Sequence, residues 1–261
     1  MSTDAVISNI NKLPKIRKIV QDLINGFDDD ELDLEYIAQQ ISLDPVISIK
    51  VLRLANTARF GGARTIASMD EAVVRLGYNT VRTLVIASGM ASMTKSIPGF
   101  DLKAFWTRSF QVATISKELA RPAKLNPDVA FTCGMMYDIG SVLLAYTEVE
   151  TPHIDTTGVS SAQVGATLAE TWNFPDDIVS AIEAQGSSVG KNSQGFPALV
   201  YFSAALVDCL ATEPDCEENE ELNRLLGSIL TLRLGVAPDK VTEQLPDLMT
   251  AGAEFASSIA D

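Results

Sequence analysis

The amino-acid sequence predicts an all-α fold of roughly a dozen helices. Helix-starting signals recur along the chain, in which a capping side chain precedes a proline or stands three residues before Glu or Gln. No segment shows sustained alternation of apolar and polar residues, and no Asn-Gly or Asp-Gly turn joins two strand-like runs. Helices packed on helices are therefore the expected architecture.

Cap and turn residues place the helices in the first half of the chain. Asp44 can cap a helix that Pro45 begins, and an apolar stripe follows on one face. Ser68 and Glu71 form a capping-box pattern, and Gly77 is suited to end the helix that they open. The helices expected here are Leu34–Ile41, one from Pro45 that carries Ile47, Val51, Leu54 and Ala55, then Met69–Leu76, Thr80 to about Met93 capped by Asn79, and one that starts at Asp101.

The second half of the chain repeats these signals. Asn126 and Pro127 precede an apolar run that predicts one helix over Val129–Tyr146. Ser160 with Gln163 forms another capping pattern, for a helix that runs to the turn at Phe174-Pro175. The further helices expected are Pro197–Ala211, Glu220–Leu234 and Asp239–Ile259, and the loops expected are Asp28–Asp33, Thr147–Ser160 and Gly186–Gly195.

Charge and composition restrict the classes of partner. The chain carries 20 Lys and Arg against 34 Asp and Glu, a formal net charge of −14. Such a surface repels phosphate backbones and anionic lipid headgroups, so nucleic-acid and membrane binding are disfavoured. No apolar run is expected to reach the ~20 residues that span a bilayer, and no signal peptide is expected at the N-terminus. The cysteines Cys133, Cys209 and Cys216 lack metal-type spacing, which favours reduced thiols in a cytoplasmic protein.

Several short motifs occur one after another along the chain. The first is Ile41–Pro45 with Lys50–Ala58, similar to an I-x-x-D-P run followed by a helix that ends in L-R-x-A-N-S. The others are Ile66–Gly77, Phe105-Trp106-Thr107-Arg108-Ser109 for F-W-x-H-S, Gly134–Gly140 for G-L-L-H-D-I-G, Val164-Gly165-Ala166, and Trp172–Pro175 for W-x-L-P. Together they extend across roughly residues 13–210, and in order and spacing they resemble the motifs of the bacterial HDOD family.

The resemblance implies a compact multi-helix bundle of the HD-domain type, with an additional N-terminal helical subdomain. We expect the HDOD domain over residues 10–210, with the N-terminal helical part at about 10–95 and the HD-like part at about 96–210. Residues 211–261 are expected to form a C-terminal helical extension packed on this domain.

The family name marks kinship to metal-dependent HD-domain phosphohydrolases, whose sites combine histidines and aspartates around divalent ions. Such ions polarise a phosphoryl oxygen and lower the pKa of bound water. The resemblance puts Arg108 at the first histidine position and Tyr137-Asp138 at the His-Asp pair. The remaining ligand positions fall near Ser161, near Gln185-Gly186, and near Ala204 or Ala205. Only Asp138 keeps the ligand type, so neither a metal nor another cofactor is expected.

Arg108 and Asp138 leave two arrangements open. The guanidinium can occupy the metal's place and neutralise the carboxylate, since a buried carboxylate without a partner is costly. Alternatively, Asp138 caps a helix or binds backbone amides while Arg108 points to solvent. Asp208 lies past the motif position, as a replacement ligand or as an exposed helical acid. Tyr137 could fill the volume of an imidazole and its metal, which would make the old site solid core.

Other distinctive residues favour structural interpretations. His153, the single histidine, is expected in a solvated loop instead of acting as a pH sensor. Asn56 is expected to end its helix or to bond a neighbouring loop, and Cys133 is expected to be an inert buried thiol. An aromatic group is typical of core packing, with a ligand groove as the alternative: Phe105, Trp106 and Phe110.

These residues predict a non-catalytic signalling or regulatory domain that acts by protein–protein interaction or by sensing a small ligand. The resemblance implies association with bacterial signal-transduction components. The expected partner is thus an unidentified signalling protein, and the acidic surface would steer a basic partner face towards it. The alternative is a metal-dependent phosphohydrolase acting on nucleotides or cyclic dinucleotides. A third possibility is binding of a nucleotide without cleavage, with Arg108 contacting phosphate.

Overall fold

Helices form all the regular secondary structure in the part of the chain that the computed structural model describes, residues 18–25, 34–57, 60, 65–93, 97–150, 158–185, 194–212, 220–226 and 238–260. The first seven are α1 (Lys18–Asn25), α2 (Leu34–Ser42), α3 (Pro45–Ala55), α4 (Met69–Leu76), α5 (Tyr78–Met93), α6 (Leu102–Ala120) and α7 (Pro127–Met136). The next six are α8 (Ile139–Glu150), α9 (Ser161–Thr171), α10 (Asp176–Glu183), α11 (Gly195–Thr212), α12 (Glu220–Leu225) and α13 (Pro238–Ala260). The predicted all-α class is confirmed.

Side-chain caps form where the sequence predicts them. Asp44 accepts hydrogen bonds from the backbone amides of Val46 and Ile47 at the start of α3. Ser68 and Ser160 each accept a bond from the amide three residues further on, which opens α4 and α9. These bonds satisfy amides that have no partner within the helix. The other predicted caps with this geometry are Asp101 and Asn126.

The prediction of one helix over Val129–Tyr146 is wrong, because the chain breaks there into two helices. α7 ends at Met136 and α8 begins at Ile139, with a turn at Tyr137 and Asp138 between them. The carbonyl of Asp138 accepts a bond from the amide of Ser141 at 3.0 Å, which begins the new helix. Both helices are largely buried, so their apolar composition is continuous across the break.

Several other boundaries also differ from the prediction. Asn79 lies in the first turn of α5 and donates to a side-chain oxygen of Asp128 at 2.7 Å, so it does not cap that helix. α8 continues to Glu150, into a segment predicted as loop, and α1 and α10 were not predicted. The predicted features that lie outside the described residues are His153, Cys216, the loop Asp28–Asp33 and most of the loop Gly186–Gly195.

α6 lies at the centre of the core, packed against α7, α11 and α13. Its aromatic side chains are buried, and the rings of Phe110 and Phe255 stack with their centroids 5.6 Å apart. Such ring pairs add to the free energy gained from burying apolar area. The core interpretation of the aromatic group is therefore correct for its three predicted members: Phe105, Trp106 and Phe110.

The C-terminal helix α13 is bonded to the rest of the fold as well as packed on it. The hydroxyl of Thr114, on α6, donates to the carbonyl of Leu248 at 2.9 Å. The ammonium of Lys50, on α3, donates to the carbonyl of Ile259 at the C-terminal end of α13, whereas Leu248 lies near its middle. The helix therefore contacts both the N-terminal and the central helices. The division into residues 10–95, 96–210 and 211–261 stays a prediction.

One segment among the described residues, Pro127–Glu148, is long and apolar enough to cross a membrane by length and composition, with a mean hydropathy of 1.4. The expectation that no apolar run approaches this length is therefore wrong. However, 67% of the window is buried inside the fold, and the turn at Tyr137 and Asp138 interrupts it. Such burial is typical of core helices in a soluble protein.

Asn56 ends α3 and binds the segment before α4. Its side-chain nitrogen donates to the carbonyls of Leu52 and Ile66 at 2.8 Å, and its side-chain oxygen accepts from the amide of Ile66 at 2.8 Å. Both predicted structural roles are thus present in one residue. The two hydrogen bonds from the Asn56 side chain to the backbone of Ile66 fix the path of the chain into α4.

We expect Asn56→Ala to lower the free energy of unfolding by about 1–2 kcal/mol, because three bonds are lost at a partly solvated site. Asn56→Asp keeps the accepting oxygen but loses both donated bonds, so we expect an intermediate loss. Urea unfolding followed by circular dichroism measures both. Asn223→Ala, at an exposed position on α12, is the matched control. Equal stability of Asn56→Ala and this control would contradict the assigned role.

Candidate functional site

The turn at Tyr137 and Asp138 carries the candidate site, and a close contact of two helices fixes its position. A Cβ atom added to Gly140 would lie 1.8 Å from the carbonyl oxygen of Ser161, and one added to Gly165 would lie 3.1 Å from the amide nitrogen of Gly140. Only glycine allows α8 and α9 to approach so closely. The first turn of α8 is therefore held against α9, directly after Asp138.

Asp138 is partly buried, with 19% of its side chain exposed. One carboxylate oxygen, Oδ1, accepts hydrogen bonds from the hydroxyl of Ser141 and from the side-chain nitrogen of Gln185. The other oxygen, Oδ2, lies 3.8 Å from Nη1 of Arg108. Buried carboxylates need such partners. Ser141, which the sequence reasoning missed, is one turn along α8 and shares the face of Asp138.

Arg108 makes its hydrogen bonds with Asp208, not with Asp138. Its Nε and Nη2 atoms each donate to one carboxylate oxygen of Asp208 at 2.8 Å, in a bidentate pair. The distance of 3.8 Å to Asp138 is an ion-pair distance and exceeds that of a hydrogen bond. A direct hydrogen-bonded pair of Arg108 with Asp138 is therefore not formed. The guanidinium lies between two carboxylates, as a cation shared by both.

The role of Asp208 could be anticipated only in part from the sequence. The family's distal aspartate position falls near Ala204 or Ala205, where no carboxylate is present. Asp208 follows them by one turn of α11, so it lies on the same helical face. Its side chain is 57% exposed and still reaches Arg108. One helical turn therefore brings the carboxylate of Asp208 to the face on which the motif spacing predicts an aspartate.

Tyr137 does not fill the old site. Its ring is buried against Arg108, whose guanidinium carbon lies 5.0 Å from the ring centroid. A cavity of about 440 Å³ remains open beside it. The hypothesis that this ring turns the site into solid core is therefore wrong. The cavity is lined by Arg108, Tyr137, Asp138, Gln185 and Asp208 together with apolar residues and Tyr201 of α10 and α11.

Two residues that line this cavity each have a buried polar atom with no hydrogen-bond partner among the described residues. These atoms are the hydroxyl of Tyr137 and the side-chain oxygen of Gln185. The orientation of the Gln185 amide follows from Asp138, because a carboxylate oxygen accepts the bond that the amide nitrogen donates. All four predicted remnants, Arg108, Tyr137, Asp138 and Gln185, are thus brought together around one cavity. Ser161 contributes its backbone contact with Gly140 and does not line the cavity.

The residues present do not suit a divalent metal. Both oxygens of Asp208 accept bonds from Arg108, and one oxygen of Asp138 accepts two bonds from neutral donors. Among the described residues, no imidazole lines this cavity, and no cluster of three or more His, Cys, Asp or Glu side chains forms. The positively charged guanidinium of Arg108 would repel a cation placed beside it. The donor set is that of an internal ion pair.

The cysteine of α7 is no second reactive centre. Cys133 is fully buried, and its thiol lies 3.8 Å from the carbonyl oxygen of Asp177. Burial, followed by the nearby negative charge of Asp177, raises the pKa of the Cys133 thiol well above its ordinary value. A thiol with a raised pKa is a poor nucleophile, because the thiolate is the reactive form. The interpretation of Cys133 as an inert thiol is supported.

Comparisons with known proteins agree with this architecture. A family model described as the HDOD domain matches residues 13–188. A solved structure from Shewanella amazonensis SB2B, provisionally named a phosphohydrolase, has a TM-score of 0.78 and 28% identity, and covers 98% of both chains. An HDOD domain protein with unknown function from Geobacter sulfurreducens has a TM-score of 0.67 and 20% identity, over 97% of this chain and 98% of that one. The predicted HD-domain type of bundle is confirmed.

Two further relatives are longer than this chain. A Marinobacter aquaeolei VT8 protein, provisionally named a signal transduction protein, has a TM-score of 0.70 and 18% identity, over 99% of this chain and 65% of that one. An uncharacterized protein of Treponema pallidum (strain Nichols) is 24% identical over 197 residues, which are 68% of this chain and 38% of the relative. At these identities, the solved structures under 25% support the fold alone.

We expect Gly140→Ala to lower the free energy of unfolding by about 3 kcal/mol or more, because the added methyl group meets backbone atoms that cannot yield. Thermal and urea unfolding measure the effect. Ser161→Ala keeps the carbonyl oxygen in place and is the matched control, with little change expected. Unchanged stability of Gly140→Ala would contradict the close approach of α8 and α9.

Proposed function

Because this chain belongs to the HDOD family, we propose that it is a non-catalytic regulatory module of bacterial signalling, in which an arginine replaces the metal of hydrolase relatives. The observation that carries this proposal is the position of Arg108. Its guanidinium lies 2.8 Å from Asp208 and 3.8 Å from Asp138, between two carboxylates of the same cavity. A charged group built into the chain thus takes the place that a divalent ion would need.

Competition for the carboxylates supports this interpretation. Arg108 offsets one of the two negative charges that would otherwise attract a dication to this cavity. A dication that displaced the guanidinium would first have to break the bidentate pair with Asp208 and shed its own water. Two carboxylates alone, without imidazole ligands, are a weak compensation for these costs. Arg108 is part of the chain, so it occupies the site without having to bind from solution as an ion does.

The ion pair itself is not expected to contribute much stability. The side chain of Arg108 is 36% exposed and that of Asp208 is 57% exposed. Exposed pairs of this kind contribute about 0–1 kcal/mol and are screened by salt. The importance of Arg108 in this proposal is therefore the exclusion of metal from the cavity. Its contribution to folding is secondary.

The alternative function is a metal-dependent phosphohydrolase acting on nucleotides or cyclic dinucleotides. It is favoured by the provisional name of the Shewanella amazonensis relative, which is 28% identical to this chain. A fold does not confer an activity, which depends on the residues of the site. Here the positions of the first histidine and of the His-Asp pair hold Arg108 and Tyr137-Asp138. The donor set around Asp138 therefore favours the non-catalytic function.

The open cavity supports small-ligand sensing as one mode of action. Its charged groups are one guanidinium and two carboxylates, which gives a formal charge of −1. A phosphate would have to displace Asp208 from Arg108 and approach Asp138 as well. A neutral ligand with hydrogen-bond donors fits this environment better, because the carboxylates of Asp138 and Asp208 can accept such bonds without displacement of Arg108. The nucleotide hypothesis is thus the weaker of the two.

The proposal also includes a cytoplasmic location and a signalling protein as partner. The net charge of −14 disfavours nucleic acid and anionic membranes as binding surfaces. The buried segment Pro127–Glu148 is accounted for by the core. The Marinobacter aquaeolei relative carries a provisional name of the same class, a signal transduction protein. No cofactor is part of the proposed function.

We expect the purified wild-type protein to bind no stoichiometric Mn²⁺, Fe²⁺ or Zn²⁺, and to release no product from a generic phosphodiester with Mn²⁺ added. Arg108→Ala should increase Mn²⁺ affinity at least about tenfold, because it frees both carboxylates. The double variant Arg108→His with Tyr137→His should bind more tightly still, since it supplies two imidazole ligands beside Asp138. Equilibrium dialysis with elemental analysis measures each affinity.

Arg121→Ala removes an exposed arginine outside this cavity and is the matched control. Stoichiometric metal or turnover in the wild type would refute the proposed function. Unchanged metal affinity in both Arg108 variants would show that the arginine is not the group that excludes the ion.

We expect mononucleotides and cyclic dinucleotides to leave the unfolding temperature of the wild type within about 1 °C of a control at equal salt and pH. A phosphate would have to displace Asp208 from Arg108, and a ligand raises this temperature when it binds the folded state. Differential scanning fluorimetry with millimolar ligand provides the measurement. A shift of several degrees that disappears in Arg108→Ala would instead support phosphate binding by Arg108.

A further inference from the structure

The exposed large apolar side chains of the described residues are confined to one part of the chain. All of them lie between residues 34 and 74, on α2, α3 and α4 and the turn between α2 and α3: Leu34, Tyr36, Leu43, Val46, Ile49 and Val74. Single exposed apolar residues are normal on a protein surface, but their concentration on one subdomain is not. An interaction surface is the usual reason for such a concentration.

Two of these side chains line a groove between α2 and α4. One depression of about 420 Å³ is bounded by Leu34 and Glu35 of α2 and by Asp70, Val73 and Val74 of α4. A second depression of about 350 Å³ shares Asp70 and Val74 with the first, so the two adjoin. We call this concave surface the α2–α4 groove.

The α2–α4 groove has an apolar floor and an acidic edge. Val73 is buried at its base, whereas Val74 is 74% exposed and Leu34 is 40% exposed. Its second depression is also lined by Ile66, which is buried, and by charged residues. The charged residues that line the two depressions are Glu35, Asp70, Glu71 and Arg75.

The charges at the edge are predominantly negative, with three carboxylates and one guanidinium. The guanidinium of Arg75 donates to the carbonyl of Phe60 at 3.0 Å, so it is engaged within the fold. Asp70 and Glu71 also lie in the first turn of α4, where acids favour the helix. The interaction with the helix N-terminus explains why Asp70 and Glu71 are acidic, but it does not explain why Val74 and Leu34 are exposed.

We propose that the α2–α4 groove binds an amphipathic helix of a partner protein, with apolar side chains towards Leu34 and Val74 and with Lys or Arg towards Asp70. A helix in a groove is the mode that fits helical walls, since no sheet edge is present among the described residues for strand addition. The chain's charge of −14 would steer a cationic segment to this surface.

A second copy of this chain is a poor occupant of the groove. A two-fold symmetric contact would place the same acidic edge against itself. Like charges brought together in this way cost several kcal/mol in interfaces. An anionic lipid surface is repelled by the same carboxylates. Charge complementarity therefore selects a basic protein segment.

This inference rests on the proposed regulatory function for its biological role, because it gives that function a partner and a surface. The groove residues belong to α2, to α4 and to the segment before α4, whereas the Arg108 cavity is lined by α6, α10 and α11 and by the turns after α7 and α10. The two surfaces share no lining residue. Metal binding and helix binding can thus be measured separately on one preparation of the full chain.

The probe is a synthetic amphipathic peptide of about five helical turns, with leucine on one face and lysine along both flanks. A second peptide has glutamate in place of each lysine, and a third has the first peptide's composition in a scrambled order. Fluorescence anisotropy measures binding of each peptide to the wild type and to Val74→Ser and Asp70→Lys. Glu170→Lys, an exposed acid on α9, is the charge-matched control.

We expect the basic amphipathic peptide to bind the wild type and Glu170→Lys with affinities within about twofold, and Val74→Ser and Asp70→Lys at least about tenfold more weakly. Higher salt should weaken binding, and the glutamate and scrambled peptides should not bind. Circular dichroism checks that the variants are folded, which the exposure of both side chains favours. Metal analysis of the same samples tests the proposed function independently.

Absence of binding by the basic peptide would overturn this inference, as would equal losses for Asp70→Lys and Glu170→Lys, which would indicate net charge alone. Light scattering is the second readout. A wild-type dimer that Val74→Ser dissociates would identify a second copy as the occupant, and would also overturn it. Binding to phosphatidylcholine vesicles that Val74→Ser abolishes would identify a membrane instead.

Discussion

The candidate site depends on one backbone contact, the close approach of α8 to α9 at Gly140. This approach fixes the start of α8, and with it the turn that presents Tyr137 and Asp138 to the cavity. A side chain at Gly140 would push the two helices apart and move the turn with them. The polar chemistry of the site is thus positioned by packing, not by the strength of its ion pairs, which are partly exposed and individually weak.

Around this turn, the arrangement of charge follows from the need to neutralise carboxylates. About four-fifths of the Asp138 side chain is hidden from solvent, and one of its carboxylate oxygens accepts hydrogen bonds from Ser141 and Gln185. Arg108 then donates hydrogen bonds to Asp208 and forms a longer ion pair with Asp138. A metal-binding cavity and this one both require a positive charge between carboxylates. They differ in whether the cation is a ligand or a side chain.

The sequence predicted the fold class and most helix starts, because caps and prolines are local signals that tertiary packing did not override. It missed the break after Met136, since Asp138 is a single charged residue in a largely apolar run and no proline marks the turn. The motifs predicted that Arg108, Tyr137, Asp138 and Gln185 belong to one site, and all four line one cavity. They did not predict Asp208 as the partner of Arg108. That pairing joins residues 100 positions apart and depends on the rotation of α11, which no local pattern encodes.

In the proposed function, Arg108 in the place of a divalent ion also changes what the cavity responds to. A guanidinium is part of the chain, so it cannot be chelated or exchanged for another ion. Occupancy of a metal site, by contrast, follows the supply of the metal. A signal read through a cavity of the proposed kind would therefore be insensitive to metal starvation.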